Sequence, residues 1–360
     1  MSACKALQLT IYKKEGYMIF YASTKFSISQ IIIPIFSIVI ACNIMLMMQY
    51  AHAYTLPDTG QITCYNNSGI ITCPQQGEAF YGQDANYTHS PLSYTNNGDG
   101  TVTDRVTGLI WQQVDDGTQR TWGQSVTYCQ DLELGGQTDW RLPSRWELLS
   151  IVDAGRFNPA LNPAFSCTDN TNSYWANTDY LGYLFYGWYV FAYYGDSGGA
   201  SKGGEQNVRC VRGAELLKPT YSDNGDGTVT DLTTGRVWEK AGSQTAMNWQ
   251  AALAWCQDQT TGGETDWRLP NKRELESLVD DELQSPSINP AFTVTGSTGW
   301  FYWTSTSNSG APTDAWRMDF VYGYSGRPAK SSAEEHVRCI RGGLAATGMP
   351  PGVSLMLLNN

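Results

Sequence analysis

The chain is 360 residues long and carries 34 acidic against 23 basic side chains, a net charge of −11, which argues against a nucleic-acid partner because a polyanion would meet repulsion. Aromatic residues at 12%, 36 glycines and only 16% charged residues exclude a helical bundle and point to a loop-rich, aromatic-packed α+β fold with few, short helices. The length suits two domains of ordinary size behind a leader.

Residues 1–53 read as a signal peptide or an N-terminal anchor. Lys5, Lys13, Lys14 and Lys25 precede an uncharged apolar run that begins at Ile28 and ends at Met48, and Ala51-His52-Ala53 offers the small residues of a cleavage site. Cleavage after Ala53 is the expectation, with Met18 an alternative start. Retention as an anchor is the competing outcome, since an apolar run of about twenty residues can span a bilayer. Val39-Ile40-Ala41-Cys42 has the form of a lipoprotein box, but apolar residues continue past Cys42. Without the leader, 19 basic and 33 acidic residues remain, and of three histidines only His89 and His336 are left, at unmatched places. Histidine-based catalysis has little to work with.

Residues 54–90 form a preamble in which Cys64 and Cys73 are nine apart, close enough to staple one loop in an oxidising compartment. The rest is a tandem duplication, repeat 1 over 91–214 and repeat 2 over 218–343, followed by a tail at 344–360. Tyr94, Trp111, Trp122, Cys129, Trp140 and Phe165 recur 127 positions later as Tyr221, Trp238, Trp249, Cys256, Trp267 and Phe292. One fold is expected twice.

Each repeat opens with Asn-Gly-Asp-Gly-Thr-Val-Thr-Asp, from Asn97 to Asp104 and from Asn224 to Asp231, which is a hairpin signature. The acidic, glycine-rich loop also suits calcium, but it lacks the alternating ligands and terminal glutamate of an EF-hand, so the turn is preferred. A helix follows: Thr121 or Asn248 caps it, and Trp122, Val126, Cys129 and Leu132 share one face, so its cysteine points inward. Thr-Asp-Trp-Arg-Leu-Pro, at 138–143 and 265–270, is the joint to a second helix, whose start is set by Ser144 with Glu147 and by Asn271 with Glu274. Arg141 and Arg268 are candidates for ligand binding, but a structural ion pair with Asp139 or Asp266 is the plainer expectation. No Cys-x-x-Cys pairs and no His-Glu-x-x-His mark a metal site.

The later half of each repeat holds strands and variable loops. At offset 128, Trp188, Val190, Ala192 and Tyr194 align with Trp316, Met318, Phe320 and Tyr322, the expected core face of a period-two strand. The alternate positions are Arg317, Asp319 and Val321 in repeat 2, a face expected to be solvated, but Tyr189, Phe191 and Tyr193 in repeat 1. Three aromatics on such a face need cover, which makes them the candidate ligand-binding residues; burial by residues 195–204 or by the other repeat is the alternative. Cys167, replaced by Val294 in repeat 2, is expected to be a buried lone thiol.

The order of elements, with an inward cysteine on the first helix, a second helix, an aromatic strand and a cysteine on the last strand, resembles the C-type-lectin-like fold. More closely, Asn-Gly-Asp-Gly-Thr-Val-Thr-Asp, the Asp-Trp-Arg-Leu-Pro-x-x-x-Glu-Leu core and the closing Val-Arg-Cys-Val-Arg-Gly look like the Lcl C-terminal domain family, long a domain of unknown function, over residues 94–213 and 221–342. The resemblance implies two tandem C-type-lectin-like domains, each with two short helices and a small, mostly antiparallel sheet. It also implies bridges from Cys129 to Cys210 and from Cys256 to Cys339, with Cys129 to Cys167 the competing pairing. It further implies an exported protein, periplasmic, secreted or on the bacterial surface, of adhesin type and binding carbohydrate, with no catalytic residues to carry over. With 8 basic against 13 acidic residues in repeat 1 and 11 against 16 in repeat 2, a polyanionic ligand would meet repulsion.

Three functions are weighed. The preferred one is an exported non-enzymatic binding or adhesion module for a glycan or cell-surface ligand, with no cofactor or metal and with membrane contact only through an uncleaved leader. The second is a purely structural envelope component. The third is an enzyme related to the sulfatase-modifying branch of the fold, which needs reactive cysteines that structural bridges would consume.

Overall fold

A computed structural model describes residues 10–14, 17–21, 55–87, 90–169, 173–294 and 300–343. The chain divides into two units, residues 1–53 and 54–360. In the first, strands β1 (Thr10–Lys14) and β2 (Tyr17–Tyr21) form an antiparallel hairpin. The apolar run, the cleavage site at Ala53, His89 and the tail lie outside the described residues. Among the described residues no helix is long and apolar enough to cross a membrane.

The second unit begins with the preamble, a small hairpin of β3 (Cys64–Tyr65) and β4 (Ile70–Ile71) closed by the Cys64–Cys73 disulfide and followed by a single 3-10 turn at Asp84–Asn86. Repeat 1 then runs β5 (Tyr94–Asn96), β6 (Thr101–Asp104), β7 (Ile110–Gln112), α1 (Trp122–Gln130), α2 (Arg145–Ser150), β8 (Ser173–Asp179), β9 (Tyr186–Phe191), β10 (Ser197–Ser201) and β11 (Val211–Arg212). Repeat 2 follows the same order with β12 (Tyr221–Asp223), β13 (Thr228–Asp231), β14 (Val237–Glu239), α3 (Trp249–Gln257), α4 (Lys272–Glu276), β15 (Phe301–Ser307), β16 (Ala315–Asp319), β17 (Ser325–Gly326) and β18 (Ile340–Arg341). Each repeat pairs a four-stranded antiparallel sheet, β11-β7-β6-β5 or β12-β13-β14-β18, with a three-stranded one, β10-β9-β8 or β15-β16-β17. The architecture is α+β, twice.

Local chemistry sets the element starts. The β5–β6 turn is pinned by Asp99, whose Oδ1 accepts from the Thr101 amide at 3.0 Å and hydroxyl at 2.6 Å, and Asp226 repeats both bonds with Thr228. Thr121 and Asn248 accept from the amides of Gln124 and Ala251 as N-caps, while Ser144 with Glu147 and Asn271 with Glu274 form capping boxes. The inward cysteines are fully buried and bridge to the last strands, Cys129 to Cys210 and Cys256 to Cys339.

Three expectations need correction. Arg141 does not pair with Asp139: it makes a bidentate pair with the buried Glu147, at 2.6 Å to each oxygen, and Asp139 pairs with Arg212 on the closing strand. Arg268 likewise holds Glu274, and Asp266 holds Arg341. The six-residue spacing puts the arginine opposite the cap glutamate, where a fork-on-carboxylate geometry is available. Second, the period-two strand stops early. Phe191 and Asp319 begin tight turns closed by Gly195 and Gly323, so Trp188, Val190 and Ala192 are buried but Tyr194 and Tyr322 are not. Third, Asp319 is buried rather than solvated, because its carboxylate folds back on the Val321 amide at 2.7 Å. Cys167 is half-buried beside the repeat 1 core.

The two repeats meet through an approximate two-fold relation. Arg145, first residue of α2, donates to the carbonyl of Gly323 at 2.5 Å, and its counterpart Lys272, first residue of α4, donates to the carbonyl of Gly195 at 3.0 Å. Each cation lies over a tryptophan of its own repeat, Trp188 at 4.2 Å and Trp316 at 4.6 Å. Such reciprocal contacts are the mark of an isologous interface. The neutralising acids differ, since Arg145 reaches across to Asp281 whereas Lys272 pairs within its helix with Glu276.

Candidate functional site

The aromatic ridge is present but partly covered. Tyr189, Phe191 and Tyr193 are all half-buried. Tyr189 lies across Gly198 of the adjacent strand β10, where any side chain would collide with its ring, so residues 195–204 do supply cover. Burial raises the Tyr189 hydroxyl pKa. Phe191 stacks on Tyr193 with ring centres 6.1 Å apart, and Tyr193 packs on Tyr194 at 4.5 Å. Tyr194 in turn carries the Arg327 guanidinium of repeat 2 at 3.8 Å. Of the three, Phe191 and Tyr193 thus border the contact between repeats.

The most exposed apolar surface lies at the other end of β9, in the turn joining it to β8. Leu181, Tyr183, Leu184 and Phe185 are 48%, 62%, 86% and 81% exposed. At offset 128 the same turn in repeat 2, equal in length, reads Ser309-Gly310-Ala311-Pro312-Thr313. Sequence reasoning missed this loop, although the comparison of copies that singled out Tyr189 would have found it six residues upstream. A contiguous exposed apolar tip is unusual on a folded surface. Polar groups flank it: Lys202 donates its amide to the Phe185 carbonyl at 2.8 Å, its ammonium pairs with Asp179, and it lies over the Trp122 ring at 4.0 Å.

Beside this tip the two repeats differ in cover. In repeat 2 the preamble packs along the Trp249, Leu253 and Gln257 stripe of α3: Phe80 meets the Trp249 ring at 6.3 Å, Gly82 sits against Leu253 and Gln257, and Tyr87 accepts from Gln257 at 3.0 Å. The Gln61 carboxamide clamps the backbone of Ser307, accepting from its amide at 2.8 Å and donating to its carbonyl at 2.7 Å. Asp84 accepts from Thr59 and Thr306, each at 2.6 Å, and burial with the nearby Asp58 charge pushes its carboxyl up to about 7. Lys330 donates to the Asn66 carbonyl at 2.9 Å, and burial brings its ammonium down to about 7. The matching residues of repeat 1, Trp122, Val126 and Gln130 on α1 with Asn177, Thr178 and Asp179 on β8, are half-buried or exposed, with Lys202 of the same repeat lying over Trp122 and pairing with Asp179. An open groove of about 580 Å³ runs along the next face of α1, past Gly123, Thr127 and Asp131.

No group of three or more His, Cys, Asp or Glu side chains able to hold a metal occurs among the described residues. His336 is buried and its Nδ1 lies 2.9 Å from the Ser243 carbonyl, a structural contact. The model of the Lcl C-terminal domain family matches residues 100–212 and again residues 227–341. No curated protein matches the chain.

Proposed function

Since the chain belongs to the Lcl C-terminal domain family, in two tandem copies, we propose that it is an exported, non-enzymatic binding or adhesion module built of two C-type-lectin-like domains. The fold reading is supported by the bridge from the first helix to the last strand, the second helix behind a Pro-capped joint and the small antiparallel sheets of each repeat. Export is supported by three disulfides, which persist in oxidising compartments, and by the apolar run after the leader lysines. A binding role rather than catalysis is supported by the use of six cysteines in bridges.

The observation that carries the reading is the 181–185 tip, apolar and exposed in one repeat and polar at equal length in the other. The ligand class is a glycan. The Tyr183 and Phe185 rings offer stacking faces, and the Asp179–Lys202 pair beside them offers hydrogen-bonding groups. The test is a glycan array with the Tyr183→Ser, Phe185→Ser double variant. Binding should fall at least tenfold at an unchanged melting temperature, because neither ring is buried. Tyr189→Ser with Tyr193→Ser should instead lower the melting temperature by a few degrees and leave binding intact. A protein that binds no glycan in any form is better described as an envelope spacer.

A further inference from the structure

On the basis of the glycan reading, we infer that the site continues across the junction onto repeat 2. There Tyr322 and Tyr324 extend the row of rings begun by Tyr183, so that the site grips an internal stretch of an uncharged sugar chain rather than one terminal sugar.

A chain of contacts joins the tip to repeat 2. Tyr183 lies nearly parallel to the buried Tyr180, with ring centres 6.3 Å apart, and meets Tyr186 at 5.2 Å. Tyr180 stands edge-on to Trp188 at 4.7 Å, and Trp188 carries Arg145, which donates to the Gly323 carbonyl. Tyr322 and Tyr324 flank that glycine. Tyr324 packs on the repeat 1 core. Burial, and after it the nearby hydroxyls of Tyr324 and Tyr322, push the Tyr180 hydroxyl up to about 12. Tyr183 is 62% and Tyr322 39% exposed, so rings from both repeats face solvent around one buried tyrosine.

The approximate two-fold relation gives this junction a mirror image, and the mirror image is filled. Tyr194, the counterpart of Tyr322, lies under Arg327 at 3.8 Å and against Gly310, which Phe157 also touches. On the Tyr322 side the covering groups change. At offset 128 the place of Arg327 is taken by Gly199, and at offset 127 the place of Phe157 is taken by the exposed Gln284. Gly199 is required where it stands, because any side chain there would strike the Tyr180 ring. One half of a symmetric contact is thus closed, and the other is open and lined with rings.

The form of the opening selects the ligand. Ring faces on an open surface admit a chain that runs on in both directions, whereas a closed pocket would select an end. Asp319 adds a negative charge near the Tyr180 hydroxyl, while the neighbouring cations Lys202 and Arg317 are paired with Asp179 and Glu335. A sulfated or acidic chain is disfavoured there.

The probes are short and long members of uncharged gluco-, manno- and galacto-oligosaccharide series, with heparin as the sulfated comparison. The unmodified chain should bind long members about tenfold more tightly than the disaccharide, the worth of one further ring face. Tyr322→Ser should remove this gain while leaving disaccharide binding and the melting temperature unchanged, and Tyr322→Phe, which keeps the ring, should retain it. Tyr194→Ser, on the filled side, should lower the melting temperature and keep the gain. A gain that survives Tyr322→Ser, or equal binding of short and long members by the unmodified chain, overturns the inference and leaves the glycan reading standing. Heparin bound more tightly than every uncharged member overturns the assignment of an uncharged chain. Binding of no member by the unmodified chain removes the glycan reading itself, and this inference with it.

Discussion

Two buried arginines explain the closing motif residue by residue. Arg338, the Arg of Val-Arg-Cys-Ile-Arg-Gly, donates to the carbonyls of Glu239 at 2.7 Å, Lys240 at 2.5 Å and Thr293 at 2.7 Å. Arg209 does the same for Gln112, Gln113 and Ser166, and lies 3.5 Å from the buried Asp115. Replacing Arg338 by methionine takes a donor from each of these carbonyls, of which Lys240 keeps the Thr293 amide, and a loss of about 2 kcal/mol is expected in denaturant unfolding. Arg209→Met should cost more, because it also leaves Asp115 buried without its cation; equal losses would show that Asp115 contributes nothing. Asp84 gives a pH test. Its carboxyl is pushed up to about 7 in the folded protein, so folding favours the protonated form: the stabilisation is complete below the ordinary carboxylate range and is lost as pH rises through about 7. Asp84→Asn mimics the neutral acid, so its melting temperature should match wild type at pH 5 and exceed it by several degrees at pH 8. Lys330 has the opposite slope, but it is common to both proteins and cancels in the difference.

At the level of elements, the helix starts and the opening hairpin of each repeat were legible because their determinants lie within a few residues, whereas the hairpins β1–β2 and β3–β4 were not foreseen. Thr121, Ser144 and Asn271 cap where their spacing to the first turn says they should, and Asp99 closes its turn on Thr101 two residues on. The long bridges followed from family likeness, and Cys129–Cys210 closes a span of 81 residues. Chain-entropy arguments give such a closure about 4 to 5 kcal/mol before strain is subtracted. The Cys129→Ala, Cys210→Ala variant should therefore lose roughly 2 to 5 kcal/mol in urea unfolding while keeping the other two disulfides in a non-reducing peptide map. What was not legible is which surfaces meet. Asp139 and Arg141 are two residues apart yet serve different partners, chosen by the direction in which the chain leaves the joint. Strand β9 was read too far, although its end is marked locally by Gly195, which sits at φ +79° and donates its amide to the Phe191 carbonyl. The preamble's seat on repeat 2 left no local mark at all.

For the whole molecule, the reciprocal pair Arg145–Gly323 and Lys272–Gly195 means that the repeats recognise each other through one surface used twice. Further links accumulate around it: Arg273 donates to the carbonyls of Leu149 and Val152, Arg327 pairs with Asp196 at 3.3 Å, and Ser309 donates to the Arg156 carbonyl at 3.0 Å. The covalent linker at 215–217 is then not what holds the halves together. A protease site placed there and cut should leave one species of undiminished size in gel filtration at micromolar concentration. Separation of the halves would mean that the interface needs the tether.

The preamble's position also has a consequence for the order of events in the chain's life. It leaves the ribosome before either repeat, yet Gln61 is completed by Ser307, 246 residues later, and Asp84 by Thr306, 222 residues later. Repeat 1 can close its own bridge and hold the preamble only through Ala154, whose amide meets the Thr59 carbonyl and whose carbonyl receives Gln61, while Phe80 and Asp84 still wait for repeat 2. The last strands to be made are thus what finishes the first segment, and a chain halted before β15 would keep an early, sticky stretch unclaimed. Nascent chains released at successive lengths should become resistant to protease at the preamble only once residues 301–343 are present, which gives this protein a built-in sign of its own completion.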